Sequence, residues 1–310
     1  MDNTFDLHDG HWRVLVAPSL GGSLLSCEYD GERVLQPTVQ PERVGLPFLR
    51  CCHFPLIPYS NRIRNGMFRF RDVWIRLPEN VAGSPHAIHG HGWRATWQLT
   101  GRDRTSCALW FRHDAASDWP WPYEGRQTLA IIGDELRITL AIENKGSRAM
   151  PCRLGFHPFL PVSPGTRLQM QSMRVWDGAA DVFPSQLVAV PADLDFRGGP
   201  RVADRQGTDH CFDGWQGCAT VSDEQGPRRV VLGGCSATHS VIVYIPESAD
   251  YFCVEPVTHT VNAMNLPDAA ESGLWTLEPQ ETRQISMSIR CDVTGRGLPP
   301  RLQRTSSPNP

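Results

Sequence analysis

Apolar and polar residues alternate with a period of two in several stretches of the chain. Leu136, Ile138, Leu140 and Ile142 are separated by Arg137, Thr139 and Ala141. Ile285, Met287, Ile289 and Cys291 are separated by Ser286, Ser288 and Arg290. Successive side chains of an extended strand point to opposite faces, so each run predicts a strand with one buried face. Phe68 and Phe70, followed by Val73, Ile75 and Leu77, extend another such run. Shorter candidates lie at 12–16, 24–29, 96–100, 108–112, 168–175 and 241–245. No long stretch carries a clean 3.6-residue stripe, and 27 glycines and 26 prolines are scattered throughout, which leaves little room for long helices. The pattern predicts an all-β chain built as an antiparallel sandwich or barrel. With no internal repeat and no break in composition, a single domain is expected over 1–292. A Gly-, Pro-, Arg- and Ser-rich tail over 293–310 is expected to fray.

Composition narrows the class. In 310 residues, 40% apolar content suffices for a full core without metal or disulfide staples. Charged residues make up only 20% and the net charge is −3, so no nucleic-acid or polybasic membrane partner is expected. No apolar stretch reaches the ~20 residues of a membrane span, and the start lacks a basic-then-apolar leader, which together predict a cytoplasmic protein. Lys145 is the single lysine, and it sits in the polar turn Glu143-Asn144-Lys145-Gly146-Ser147. That argues against a Walker-type phosphate loop and against Schiff-base or pyridoxal chemistry. The ten cysteines include no C-x-x-C pair and read as reduced, mostly buried thiols.

Polar groups with catalytic potential gather at three places: Tyr59–Gly66 with Ser84–Trp93, Gly155–Phe159, and Phe252–Pro256 with Asn262–Pro267. A smaller cluster is Thr208–Phe212. Glu255 ends an apolar, strand-like run, where desolvation tunes a carboxylate. It fits either an ion-paired structural group or a base. His157, set among Phe156, Pro158 and Phe159, fits either a core histidine or a proton donor with an ordinary pKa near 6.5. His86, His89 and His91 invite a metal reading and partly match the cupin pattern. Ala95 and Thr96 stand where that pattern needs a glutamate, so no metal site is predicted.

The order of these motifs resembles that of the aldose 1-epimerases, or galactose mutarotases. The residues that carry the resemblance are Asn61-Arg62-Ile63 with Gly66-x-Phe68, His89-Gly90, Gly155-Phe156-His157-Pro158-Phe159, Asp209-His210-x-Phe212, and Glu255-Pro256 with Asn265-x-Pro267. It runs from about residue 10 to 291. It implies a large antiparallel β-supersandwich with few short helices, an open cleft for a monosaccharide, and no cofactor. It also implies His157 as catalytic acid and Glu255 as catalytic base in exchanging the α and β anomers of a free aldose. Arg62, His89 and Asp209 match its sugar-binding positions, with Asn61 beside them. Trp93, Trp97 and Trp215 flank these motifs and offer an apolar platform for a pyranose, Trp93 foremost. The chain departs from the galactose-acting members at Ser84–Gly92, where those carry Asn-His-x-His-Gly-Gly, and in the bulk of Pro158-Phe159-Leu160-Pro161. The sugar preference is therefore left open.

Two alternatives stay beside this reading. One is a non-catalytic sugar-binding or sensing module. The other is a hexose-phosphate epimerase relative, with Arg64, Arg69 and Arg71 as candidate phosphate cations. The sequence carries no signal for an oligomeric state.

Overall fold

The computed structural model describes residues 4–38, 51–178, 183–224, 226, 228–266 and 273–293. Of the expected tail, Val293 closes the last strand and 294–310 lie outside the described residues. Two antiparallel sheets face each other. The larger has eleven strands and runs from Phe5–His8 at one edge to Pro184–Ala189 at the other. At its centre lie His53–Leu56, Gly155–Pro161, Tyr251–Val257 and Ser240–Ile245, in that order. The smaller has eight strands, from Gln98–Arg102 at one edge to Thr166–Met170 at the other, with Glu135–Asn144 and Thr282–Val293 adjacent near its middle. Among the described residues the only helical segments are 3-10 turns of three or four residues. None of the described helices is long and apolar enough to cross a membrane.

The alternation seen in the sequence is the core of the smaller sheet. Leu136, Ile138 and Leu140 stand opposite Ile289, Met287 and Ile285, all at most 1% exposed. They pack against the inward face of the larger sheet, which presents Phe156, Leu160, Val241, Val243, Phe252 and Val254. The opposite face of the larger sheet carries a second apolar cluster that includes Phe54, Phe159, Ile242 and Cys253. Because strand side chains alternate, each central strand feeds both clusters with successive residues.

Two predicted strands are divided. The run from Phe68 to Leu77 is a hairpin of Met67–Phe70 and Val73–Arg76, with Arg71 in the left-handed region at φ 53° in its turn. The 168–175 segment is shared between Thr166–Met170 in the smaller sheet and Arg174–Gly178 in the larger, so the chain crosses between layers there. Of the ten cysteines, all free, eight are buried, Cys218 is exposed and Cys235 is half-buried.

Phe156 lies fully buried between the sheets, and truncating a core aromatic to alanine costs about 3–5 kcal/mol. Phe156→Ala is expected to lower the unfolding free energy by that amount in urea titrations. A loss below about 1 kcal/mol would contradict the placement of this face in the core.

Candidate active site

Three adjacent strands make the floor of a cleft. Gly155–Pro161 pairs on one side with His53–Leu56 and on the other with Tyr251–Val257. The pairs Gly155–Val257 and Phe159–Cys253 bracket a register in which His157 stands opposite Glu255. Their side chains leave the sheet on the face away from the main core. Nε2 of His157 lies 3.5 Å from Oε1 of Glu255. The rings of Phe54 and Phe159 flank the imidazole, with centroids at 4.5 and 4.6 Å. Both polar side chains are buried, His157 at 7% exposure and Glu255 at 2%.

Burial governs their protonation. Desolvation pulls His157 down to about 3 and pushes Glu255 well above the ordinary carboxyl range. The Asp209 charge raises Glu255 further, and the Arg62 guanidinium opposes both effects. Burial thus favours the neutral imidazole and the protonated carboxyl over their charged forms. Nδ1 of His157 and Oε2 of Glu255 have no hydrogen-bond partner. Buried polar atoms in that condition are costly, and a ligand rich in hydroxyls supplies what they lack.

The wall of the cleft comes from loops. Arg62 and Ile63 pair with Ile88 and Ala87 in a two-stranded ribbon. Asn80 clamps the ribbon's free edge, accepting from the Ile88 amide at 2.8 Å and donating to its carbonyl at 2.6 Å. At one end of the ribbon Asn61 and His89 both adopt positive φ, 54° and 61°. The Asn61 amide donates to His89 Nδ1 at 3.0 Å. Burial holds His89 well below its ordinary pKa, so the ring is neutral and its one proton sits on Nε2. Asn61 Oδ1 accepts from the Arg62 backbone and guanidinium, at 2.8 and 3.3 Å. That aims Arg62 toward Asp209, 3.6 Å away. Beyond the ribbon, Asn262 accepts from the Arg64 amide, and Asn265 donates to the Met67 carbonyl. Those two residues of the Asn262–Pro267 motif brace the wall, and Pro267 lies outside the described residues.

His157, Glu255, Arg62, His89, Asp209 and Asn61 thus line a single cleft. A model of the aldose 1-epimerase family matches residues 3–290. The chain belongs to that family. The Escherichia coli K12 protein YphB, itself uncharacterized, is 29% identical over 250 residues, 77% of this chain and 83% of YphB. A crystal structure from Escherichia coli K12, of a protein provisionally called an aldose 1-epimerase, superposes with a TM-score of 0.84. It is 25% identical and covers 94% of this chain and 99% of its own. A galactose mutarotase-like protein from Clostridium acetobutylicum shares the fold at a TM-score of 0.82 and 19% identity, over 93% and 94% of the two chains.

Against this family background the tryptophans need correction. Trp93 is fully buried, donates to the Gly90 carbonyl at 3.1 Å and packs against Phe54. It belongs to the apolar cluster on the cleft side of the larger sheet, packed behind Phe54, and is not among the residues that line the cleft. Trp97 and Trp215 are also buried, with their indole N–H groups donating to Gly92 and Cys218 carbonyls. The aromatic side chains that do line the cleft are Phe159, Tyr244 and Tyr251. The strand period carried the signal for them. Phe159 is two residues from His157, Tyr251 four from Glu255, and Tyr244 is the cross-strand partner of Asp209. The three histidines of the 86–91 segment diverge. His86 Nδ1 accepts from the Asn65 amide, His89 serves Asn61, and His91 meets Tyr123 and Asp118.

Gly90 holds the wall against the floor. At φ 64°, a Cβ there would lie 2.3 Å from the Ile57 carbonyl oxygen. Gly90→Ala is expected to destabilise the fold by about 1–3 kcal/mol and to weaken sugar binding by displacing His89. Thermal unfolding and sugar titration read the two effects, and a variant matching the parent in both would refute this role.

Proposed function

We propose that the protein is an aldose 1-epimerase that exchanges the α and β anomers of a free aldose by opening and closing its ring. The observation that carries the reading is the imidazole and carboxyl held 3.5 Å apart on the dry floor of a cleft with a polar wall. Ring opening requires one proton to leave the anomeric hydroxyl and another to reach the ring oxygen. Glu255 takes the first and His157 gives the second, and the roles reverse after rotation about the C1–C2 bond. Glu255 reaches the carboxylate form when its proton moves to His157, and the positive charge of Arg62 favours that carboxylate. Arg62, Asp209 and the Nε2–H of His89 offer donors and acceptors for the sugar hydroxyls. Phe159, Tyr244 and Tyr251 offer apolar surface for the ring.

The free-sugar form of the reading draws support from the placement of two arginines. Arg69 pairs with Asp72 and Arg71 with Glu278, both on the hairpin rather than in the cleft. A pure binding module has no use for an acid–base pair, and that favours catalysis over sensing.

Glu255→Gln and His157→Asn are each expected to lower turnover by roughly 10²–10⁴-fold while the fold survives. Polarimetry of freshly dissolved α-glucose or α-galactose measures this, and a parent-like rate in either variant removes that residue from the mechanism.

The pH dependence follows from the pair's burial. Burial draws the imidazole of His157 down to about 3, so the ring gains its positive charge from solvent only in acid. Desolvation also holds the Glu255 proton to higher pH than an ordinary carboxyl would. The kcat/KM profile, corrected for the solvent reaction, is therefore expected to show no acid limb at the ordinary imidazole value. An acid limb near pH 6.5, the value of an unburied imidazole, would overturn this account.

A further inference from the structure

Cys253 stands beside the acid–base pair and takes no part in the chemistry above. It lies opposite Phe159 and two residues before Glu255, so its thiol leaves the sheet on the same face. One donor atom from each of His157, Cys253 and Glu255 lies within 4.8 Å of the others, and all three residues are buried. Nitrogen, sulfur and oxygen donors together form the set that borderline and thiophilic divalent cations take, zinc foremost. The 3.5 Å between His157 Nε2 and Glu255 Oε1 suits neighbouring ligands of a tetrahedral ion with bonds of about 2.0–2.3 Å. His157 and Glu255 each also keep a polar atom without a hydrogen-bond partner.

We propose that the cleft floor is an inhibitory site for zinc or a similar thiophilic divalent cation, held by His157, Cys253 and Glu255. The inhibitory consequence rests on the mutarotase reading, whereas the site itself does not. On binding, the cation displaces the Cys253 thiol proton and the Glu255 carboxyl proton into solvent. It then occupies the lone pairs of the imidazole, the thiolate and the carboxylate, and neither acid nor base remains for the sugar.

A second grouping, His91, His113 and Asp118, also brings donors within reach. Its imidazoles stack at 4.4 Å with only 7° between their planes, so their lone pairs run parallel rather than converging. His113 Nε2 is also 3.0 Å from the Trp119 carbonyl and donates to it. That cluster holds no cation in this arrangement.

Cobalt(II) is the probe for the proposed site, because its spectrum reports ligands independently of activity. Titration into the full chain is expected to give a thiolate-to-cobalt charge-transfer band and the visible bands of a tetrahedral ion, both lost on adding zinc. Zinc is expected to suppress catalysed anomer exchange and EDTA to restore it. Cys253→Ala and Cys253→Ser should both lose the charge-transfer band. Relative to each variant's own rate, zinc inhibition should weaken about tenfold or more, since even outer-shell changes shift metal affinity by roughly 10–100-fold. Absence of the thiolate band, or its persistence in both variants, overturns the proposal. A chain that gives the band yet never exchanges anomers upholds the metal site and overturns only the reaction.

Discussion

The pairing of Gly155 with both Leu56 and Val257 sets the register of three adjacent strands, and that register decides which side chains meet the core and which meet the cleft. A Cβ at Gly155 would lie 2.8 Å from Val257 Cγ1 and 3.1 Å from Leu56 Cδ1, so the closeness of the strands depends on glycine there. With this register, Phe156, Leu160, Phe252 and Val254 fill the space between the sheets. His157, Phe159, Cys253 and Glu255 are the intervening residues. A slip of one position would exchange the two sets, placing a carboxyl and an imidazole in the core and four large apolar groups in the cleft. The energy that stabilises the sandwich is thus the energy that positions the chemistry.

Dryness is the second element. An imidazole and a carboxyl in water would ionise independently and exchange protons with solvent. On this floor the aromatic rings of Phe54 and Phe159 flank the imidazole, and burial favours the uncharged form of both groups. The Arg62–Asp209 contact stays at the partly exposed mouth, where the guanidinium partly offsets the desolvation that raises the Asp209 carboxyl. Polarity therefore rises from floor to mouth, as a ligand with an apolar ring face and a hydroxyl rim requires.

Much of this was legible in the chain. The period-two runs at 136–142 and 285–291 became cross-strand partners, because burial on one face leaves that alternation no other solution. Of the motif residues, Asn61, Arg62, His89, His157, Phe159, Asp209 and Glu255 gathered in one cleft, while Phe68, Phe156 and Phe212 went to the core. The tryptophans were misread because proximity in sequence to a motif says nothing about side-chain direction. Trp93 sits in a 3-10 turn and is packed away against Phe54, fully buried. The hairpin at Arg71 did leave a trace, since Phe68 and Phe70 hold even positions while Val73, Ile75 and Leu77 hold odd ones, and that one-residue shift in the alternation is the turn. The roles of Asn80 and Asn262 were obscure, since each accepts from a backbone amide well removed along the chain.

The clamp that Asn80 places on the 62–63 and 87–88 ribbon draws on a loop outside both sheets, while the Ile57 carbonyl, just past the end of a floor strand, accepts from the amides of His91 and Gly92. The wall therefore hangs from two attachments of different kinds, one through a side chain and one through backbone. Loss of the asparagine would slacken the first and leave the second in place, so the hollow would widen at its rim before its base gave way.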